Sequence, residues 1–326
     1  MKMAVGIDIG GTNIKVVLVS EDGRVLTSQS YPTPSEGQSV NIKDLLFTVL
    51  KGIINEEALK IFSPGSAGVS DIAGIGFGIA GIIDRKTGTV IYSPNIPAIN
   101  KLQIKDIFEK EFSLPVIVEN DANACAYGEK WVGTGKDFDN FIVLTLGTGL
   151  GSGLIYKGKP YEGAIEAGHM VIEPNGRPCT CGSSGCLESY ASGRAIVDLA
   201  TSSLEKGTES ILTQFSQGNY YKITPEDIFK AALEGDSFSR ELFRPFGQYL
   251  GIGIANLINI LSPDAVIIGG GLVGAWDLFI EGLQKEVSRR ALKPLAANVK
   301  ILKTILSKDC GSLGAAGLAL HSEAAK

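Results

Sequence analysis

Basic residues do not dominate this chain. Across 326 residues it carries 30 Lys and Arg against 35 Asp and Glu, a net charge of −5. No basic stripe is present, which argues against a nucleic-acid binder. Long hydrophobic runs are missing too. None approaches the ~20 residues that a membrane-spanning helix needs. The N-terminus enters "MAVGIDIGG" directly, without the basic segment and cleavage site of a secreted protein. Histidine is reduced to two residues and cysteine to five. Three of those cysteines cluster with a histidine, so metal ligands plus two ordinary thiols in a reducing cytoplasm are expected, not a disulfide framework. Cys125 and Cys310 read as small apolar helix residues or caps. Two familiar phosphate fingerprints are also absent. There is no G-x-x-x-x-G-K-[ST] loop, and the first glycine pair leads into a strand, not the helix that a dinucleotide site requires.

What is present is ordinary for a globular protein, with 44% hydrophobic and 20% charged residues. The length predicts two domains or one split domain. Glycine is abundant, at 41 residues, and clusters at strand ends, where backbone can approach a ligand closely. "MAVGIDIGG" and "NIKVVLVSE" read as a hairpin around a glycine turn, and Asp22-Gly23 turns into a third strand. Residues 39–60 show helical spacing. "DIAGIGFGIAG" and "VIVEND" are strands, and "IKDIFEKEF" is a short amphipathic helix. "NFIVLTLGTGLGSGLIYKG" then repeats the strand, Gly-Thr turn, strand device, which suggests an internal duplication. Helices are predicted over 188–203, 225–234 and 237–261. A buried strand, "DAVIIGGGLVG", and a small-residue helix at the C-terminus follow. The mixture predicts an α/β fold with helix-covered sheets.

Four stretches carry candidate chemistry. "DIGGT" (Asp8, Gly10, Gly11, Thr12) and "LGTGLGSG" (Gly147, Thr148, Gly149) could each wrap backbone N–H groups and a hydroxyl around a phosphate, or could be simple hairpin turns. Gly270 and Gly271 at a strand end could pack closely or seat a nucleotide. In "VENDANA", Asp121 is either an N-cap or a carboxylate placed to take a proton from an attacking hydroxyl. His169, Cys179, Cys181 and Cys186 follow H-x9-C-x-C-x4-C, enough for a closed tetrahedral zinc site. Glu166 and Glu188 bracket that loop and could face a polyhydroxylated ligand.

Taken together, these residues resemble the ROK family of the actin and sugar-kinase superfamily, from "DIGGTNIK" to "GSLGAAGLAL". The most specific match is "CTCGSSGCLE", with "EAGH" upstream, and among family members the pattern is most similar to bacterial glucokinases. The resemblance implies a two-domain, actin-like (ribonuclease H-like) α/β fold closing a cleft on sugar and ATP. Residues 1–118 plus 310–326 would form a smaller domain, and 119–309 a larger one with a zinc loop at 169–186. It implies that Asp121 is the base for phosphorylation of a hexose 6-hydroxyl. Glucose comes first, with N-acetylmannosamine, N-acetylglucosamine, mannose, allose and fructose as alternatives. Asn120, Glu166, His169 and Glu188 would bind ring hydroxyls, as would Asn95 with Gly81 close by. Asp8 would position Mg²⁺ through water. Gly10, Gly11, Thr12, Gly147, Thr148 and Gly149 would cradle ATP phosphates, and Gly270 and Gly271 would flank the adenosine. Lys15 matches the family's D-x-G-G-T-x-x-K. The family also contains sugar-responsive repressors, which carry a helix-turn-helix ahead of this region; none is expected here. A homodimer or homotetramer is the implied assembly.

Overall fold

The computed structural model describes residues 1–34, 41–54, 71–93 and 96–322. Strands β1 (Met3–Ile9), β2 (Asn13–Ser20) and β3 (Val25–Pro32) form an antiparallel meander. The turn after β2 places Gly23 at φ +82°, a conformation that glycine adopts without steric cost. β4 (Ile72–Ile79) adds parallel to the free edge of β1, and β7 (Val116–Asn120) adds parallel to β4. The sheet order is β3-β2-β1-β4-β7. A two-stranded ribbon, β5 (Ile82–Asp84) with β6 (Thr89–Tyr92), lies between β4 and β7 in the chain.

One face of this sheet packs an apolar core. Helices α1 (Ile42–Gly52) and α2 (Ile104–Phe112) supply Leu46, Leu50, Ile104 and Phe108 against Val5, Ile7 and Phe77. The Phe77 and Phe108 rings lie 4.9 Å apart. Asn41 caps α1 by accepting from the Lys43 N–H at 2.9 Å. The helix expected over 39–60 therefore starts at Ile42, and its part beyond 54 lies outside the described residues. The C-terminal helix α8 (Cys310–Leu320) is built from Gly, Ala, Ser and Leu after its first residue, Cys310, and is almost wholly buried. It lies directly on strand backbone, since a Cβ at Gly6 or Gly76 would collide with the carbonyls of Ser312 and Ala315.

The second sheet has order β10-β9-β8-β11-β12, from β8 (Phe141–Leu146), β9 (Leu150–Tyr156), β10 (Lys159–Pro160), β11 (Ala265–Gly269) and β12 (Lys300–Lys303). β11 runs parallel to both β8 and β12. Both sheets therefore order their strands in the same way: third, second and first, then two later strands beyond the first. The echo between "DIGGT" and "LGTG" is thus an echo in topology. Helices α4 (Gly193–Glu205), α5 (Pro225–Leu233) and α6 (Ser237–Leu261) follow the sequence expectation, with one shift at a helix start, and α7 (Trp276–Arg290) follows β11. α4 starts at Gly193 instead of Glu188. Ser192 is its N-cap, accepting from the Ala195 N–H at 3.2 Å, and residues 187–189 form a separate turn of 3₁₀ helix.

Contacts divide the chain into one unit of Met1–Asp139, Gly153–Ala164 and Lys308–Lys326, and a second of Asn140–Ser152 and Ile165–Ser307. This division differs from the sequence boundaries, 1–118 with 310–326 and 119–309. Helix α3 (Asp121–Val132) belongs to the first unit because its small-residue face packs on α8. The segment 153–164 joins it because Gly153 abuts the Ala122 carbonyl. No helix among the described residues is long and apolar enough to cross a membrane.

Candidate active site

In the first unit, the β1–β2 turn and the β7–α3 junction carry the candidate residues. Asp8 sits near the end of β1, opposite Lys15 on β2 and beside Gly78 on β4. Burial pushes its carboxyl up to about 7; the nearby Asp121 carboxylate adds to the rise and Lys15 opposes it. Lys15 is ion-paired with Asp309, just ahead of α8. Gly311, on the first turn of that helix, leaves the room Asp8 needs. A Cβ there would lie 2.5 Å from Asp8 Oδ2. Beyond Asp8, the Gly10 N–H donates to the Asn13 carbonyl at 3.0 Å and the Thr33 hydroxyl to the Gly10 carbonyl at 2.6 Å. Gly11 and Thr12 are exposed at the tip.

Asn120 ends β7 and caps α3. Its Oδ1 accepts from the Ala122 N–H at 2.9 Å and the Asn123 N–H at 3.1 Å, and its Nδ2 donates to the Gly81 carbonyl at 3.0 Å. The cap is thus Asn120, and Asp121 is the first helical residue. Asp121 also meets the helix end, its Oδ1 accepting from the Ala122 N–H at 2.9 Å. Asn120 spends its carbonyl and one amide hydrogen on the fold. Gly81 sits at φ +148° against Ser93. Asn95 lies outside the described residues.

Behind this junction sits a group that sequence reasoning missed. Glu119 is buried, and its carboxylate accepts from Arg85 Nε at 2.8 and 3.0 Å, the Asn120 N–H at 2.8 Å and Asn123 Nδ2 at 3.2 Å. Burial still raises its pKa against the pull of Arg85. Arg85 is anchored by donating to the Tyr161 carbonyl at 3.0 Å. Arg85 comes from the β5–β6 ribbon, and nothing in its local sequence connects it to Glu119.

In the second unit, the β8–β9 turn and the cysteine loop share one framework. The Gly147 carbonyl accepts from the Gly193 N–H at 2.8 Å and the Thr148 carbonyl from the Arg194 N–H at 3.1 Å. The start of α4 is thereby held to the turn, leaving Gly147 and Thr148 exposed. Glu188 accepts from the Leu150 N–H at 2.8 Å through Oε2, and a Cβ at Gly149 would strike its carboxylate. Ser152 clamps the chain before His169, donating to the Ile165 carbonyl at 2.6 Å and accepting from the Ala167 N–H at 2.9 Å. Burial raises the Glu166 carboxyl; His169 lowers it and Glu188 raises it further. These three candidate ligands therefore share one electrostatic neighbourhood. Gly270, at φ +88°, presses on the Leu146 backbone, whereas Gly271 faces open space. Close packing explains the first of these glycines, and an open approach the second.

The cysteine cluster assembles as the spacing predicts. One ligand atom from each of His169, Cys179, Cys181 and Cys186 lies within 4.8 Å of all the others. The Cys181 and Cys186 sulfurs are 3.7 Å apart, as are Cys179 Sγ and His169 Nδ1. A tetrahedral zinc with bonds of about 2.0–2.3 Å has ligand–ligand edges of roughly 3.4–3.8 Å, which these two pairs match, and one His with three Cys is a donor set suited to that ion. Gly182 and Gly185, both at positive φ, turn the loop around it. His169 directs Nδ1 inward, which leaves Nε2 for another partner.

The other two cysteines depart from expectation. Cys125 on α3 and Cys310 at the start of α8 are joined by a disulfide, with a Cα–Cα distance of 4.5 Å. They stand 185 residues apart, so no local spacing could pair them.

The sequence model of the ROK family matches residues 4–322. The glucokinase of Halalkalibacterium halodurans is 34% identical over 328 residues, covering 98% of this chain and 95% of that protein. The xylose repressor of Caldicellulosiruptor bescii is 35% identical over 301 residues, covering 91% of this chain and 73% of that protein. Among solved structures, the ROK family glucokinase from Streptomyces griseus, in complex with glucose and AMPPNP, superposes with a TM-score of 0.84 at 35% identity. That match covers 98% of this chain and all of the other. The two α/β units are those of the actin-like, ribonuclease H-like sugar-kinase fold. With the glycine turns, the Asp8 and Asp121 carboxylates and the His–Cys loop all in place, this chain belongs to the ROK family.

Proposed function

We propose that the protein is an ATP-dependent hexose kinase that phosphorylates the sugar 6-hydroxyl, with glucose as the leading substrate. The observation that carries this reading is Asp121. It opens α3 directly after the Asn120 cap, and its charge reaches the buried Asp8 beside a glycine turn. A carboxylate there can take the hydroxyl proton as the sugar oxygen attacks the γ-phosphorus. Asp8 and Asp121 repel one another, and a divalent cation relieves that repulsion; Mg²⁺, a hard ion that keeps much of its water, suits Asp8. Exposed turn residues 11–12 and 147–148 offer N–H groups and hydroxyls to phosphates, and Gly271 offers an unobstructed surface to the adenosine. Glu166, His169 Nε2 and Oε1 of Glu188 would read ring hydroxyls, as would the remaining Asn120 hydrogen, Gly81 and Asn95. A structural zinc would hold the His169 ring and the adjoining 186–189 turn in place; when bound it supplies rigidity and no chemistry.

Likeness to the S. griseus glucokinase, whose structure holds glucose and AMPPNP, supports the kinase reading. Similar identity to a xylose repressor supports a second one, in which the same pocket senses a sugar without turnover. A panel of hexoses and N-acetylhexosamines with ATP and Mg²⁺, scored as kcat/KM, separates them. Asp121→Asn is expected to keep sugar binding and lower kcat by roughly 10²–10⁴-fold. Near-normal turnover in that variant rules out the base assignment, and sugar binding without turnover in the parent protein favours the sensor.

A further inference from the structure

We propose that Cys125 and Cys310 form a reversible thiol–disulfide exchange site, reacting with low-molecular-weight dithiols and disulfides, that sets the placement of Asp8 and Asp121. Cys125 lies one helical turn after Asp121 on α3, and Cys310 is the first residue of α8. The residues flanking Cys310 both serve the site. Asp309 pairs with Lys15, and Gly311 abuts the Asp8 carboxylate. The bond therefore ties the helix that presents one carboxylate to the turn that accommodates the other.

The interface has no slack to absorb a broken bond. A Cβ at Gly128 would lie 2.6 Å from the Cys310 carbonyl oxygen and 3.1 Å from the Gly314 nitrogen, and Gly314 rests on the Ala124 carbonyl. Reduction removes the covalent tie between α8 and α3, and close-packed elements transmit the resulting strain.

The chemistry is balanced exchange. A dithiol thiolate attacks the Cys310 sulfur, the more exposed of the two at 8% against 2% for Cys125. The Cys310–Cys125 bond breaks, and its electron pair leaves on Cys125, which takes up a proton. The second thiol of the reagent then closes on the mixed disulfide. It releases Cys310 as a thiolate at the N-terminus of an 11-residue helix, where the helix dipole favours negative charge. The reverse oxidation consumes one small disulfide and releases two thiols.

The test poises zinc-replete, full-length protein across ratios of reduced to oxidised dithiothreitol. Differential alkylation with peptide mapping, melting temperature and steady-state kinetics are then read together. Expected are a single Cys125–Cys310 bond under oxidation, a melting temperature lower by several degrees on reduction, and a several-fold change in kcat or in KM for Mg·ATP. The Cys125→Ala/Cys310→Ala double variant should lose all three responses, with Cys125→Ser and Cys310→Ser as substitutes should it not fold. Free thiols at both positions under oxidising conditions overturn the proposal, as does an identical redox response in the variant or reduction with no effect on melting and kinetics. The kinetic arm rests on the kinase reading; mapping and melting do not, so the two can fail separately.

Discussion

Asp8 concentrates the energetic conflict of the site in one side chain. Its carboxyl is raised from 3.8 to about 7 by burial and by Asp121. Between those two values the unfolded chain gives up the Asp8 proton while the folded protein keeps it, so stability falls as pH rises through that window and levels off above it. Asp8→Asn removes the conflict. Its melting temperature, relative to the parent, should climb from pH 4 to pH 7, reach several degrees, and stay flat to pH 9. A difference independent of pH would show that Asp8 is not held protonated. Catalysis should be lost in the same variant, as expected where a site stores cost for function. Asp8 and Asp121 were legible as candidates from their places beside glycine turns and strand ends. Glu119 and Arg85 were not. Their pairing depends on a ribbon folding back over β7, and an isolated Arg in "DRKTG" looks like any solvated charge.

At the scale of elements, α3 and α8 behave as one block. Both are rich in Ala and Gly, and the sequence showed α8 only as an apolar, small-residue helix. Which backbone it would approach was invisible, because close packing requires knowing both surfaces. Gly314→Ala places a methyl against the Ala124 carbonyl. Overpacking of this kind costs about 1–3 kcal/mol or more, so a melting temperature lower by roughly 4–10 °C is expected, with kcat reduced because Asp121 opens the displaced helix. A stable variant with normal kcat would show that the two helices can slide freely. The cysteine loop is the opposite case. Its ligands lie within eighteen residues of one another, and two glycines allow the bend, so local spacing alone assembled the set. Helix α4 started later than periodicity suggested because Ser192 offered a better cap than Glu188 and the Gly147 and Thr148 carbonyls took its first N–H groups.

For the molecule as a whole, the His–Cys set lies in the unit built on the second sheet, and the disulfide in the unit built on the first. Each staple should therefore stabilise its own unit. In scanning calorimetry, chelation or Cys181→Ser should lower one transition by several degrees and raise KM for sugar, while the transition sensitive to dithiothreitol stays in place. Equal displacement of both transitions would mean that the units unfold as one. The sequence by itself determined the strand–turn–strand repeats, the helix periodicities, the cysteine loop and the two candidate carboxylates, since each depends on residues within a few turns of chain. Only the tertiary structure decided where the units divide, that α3 belongs to the first of them, that Arg85 buttresses Glu119, and that Cys125 meets Cys310. Those facts rest on surfaces far apart in sequence, and packing is decided by shape complementarity, which no single segment carries alone.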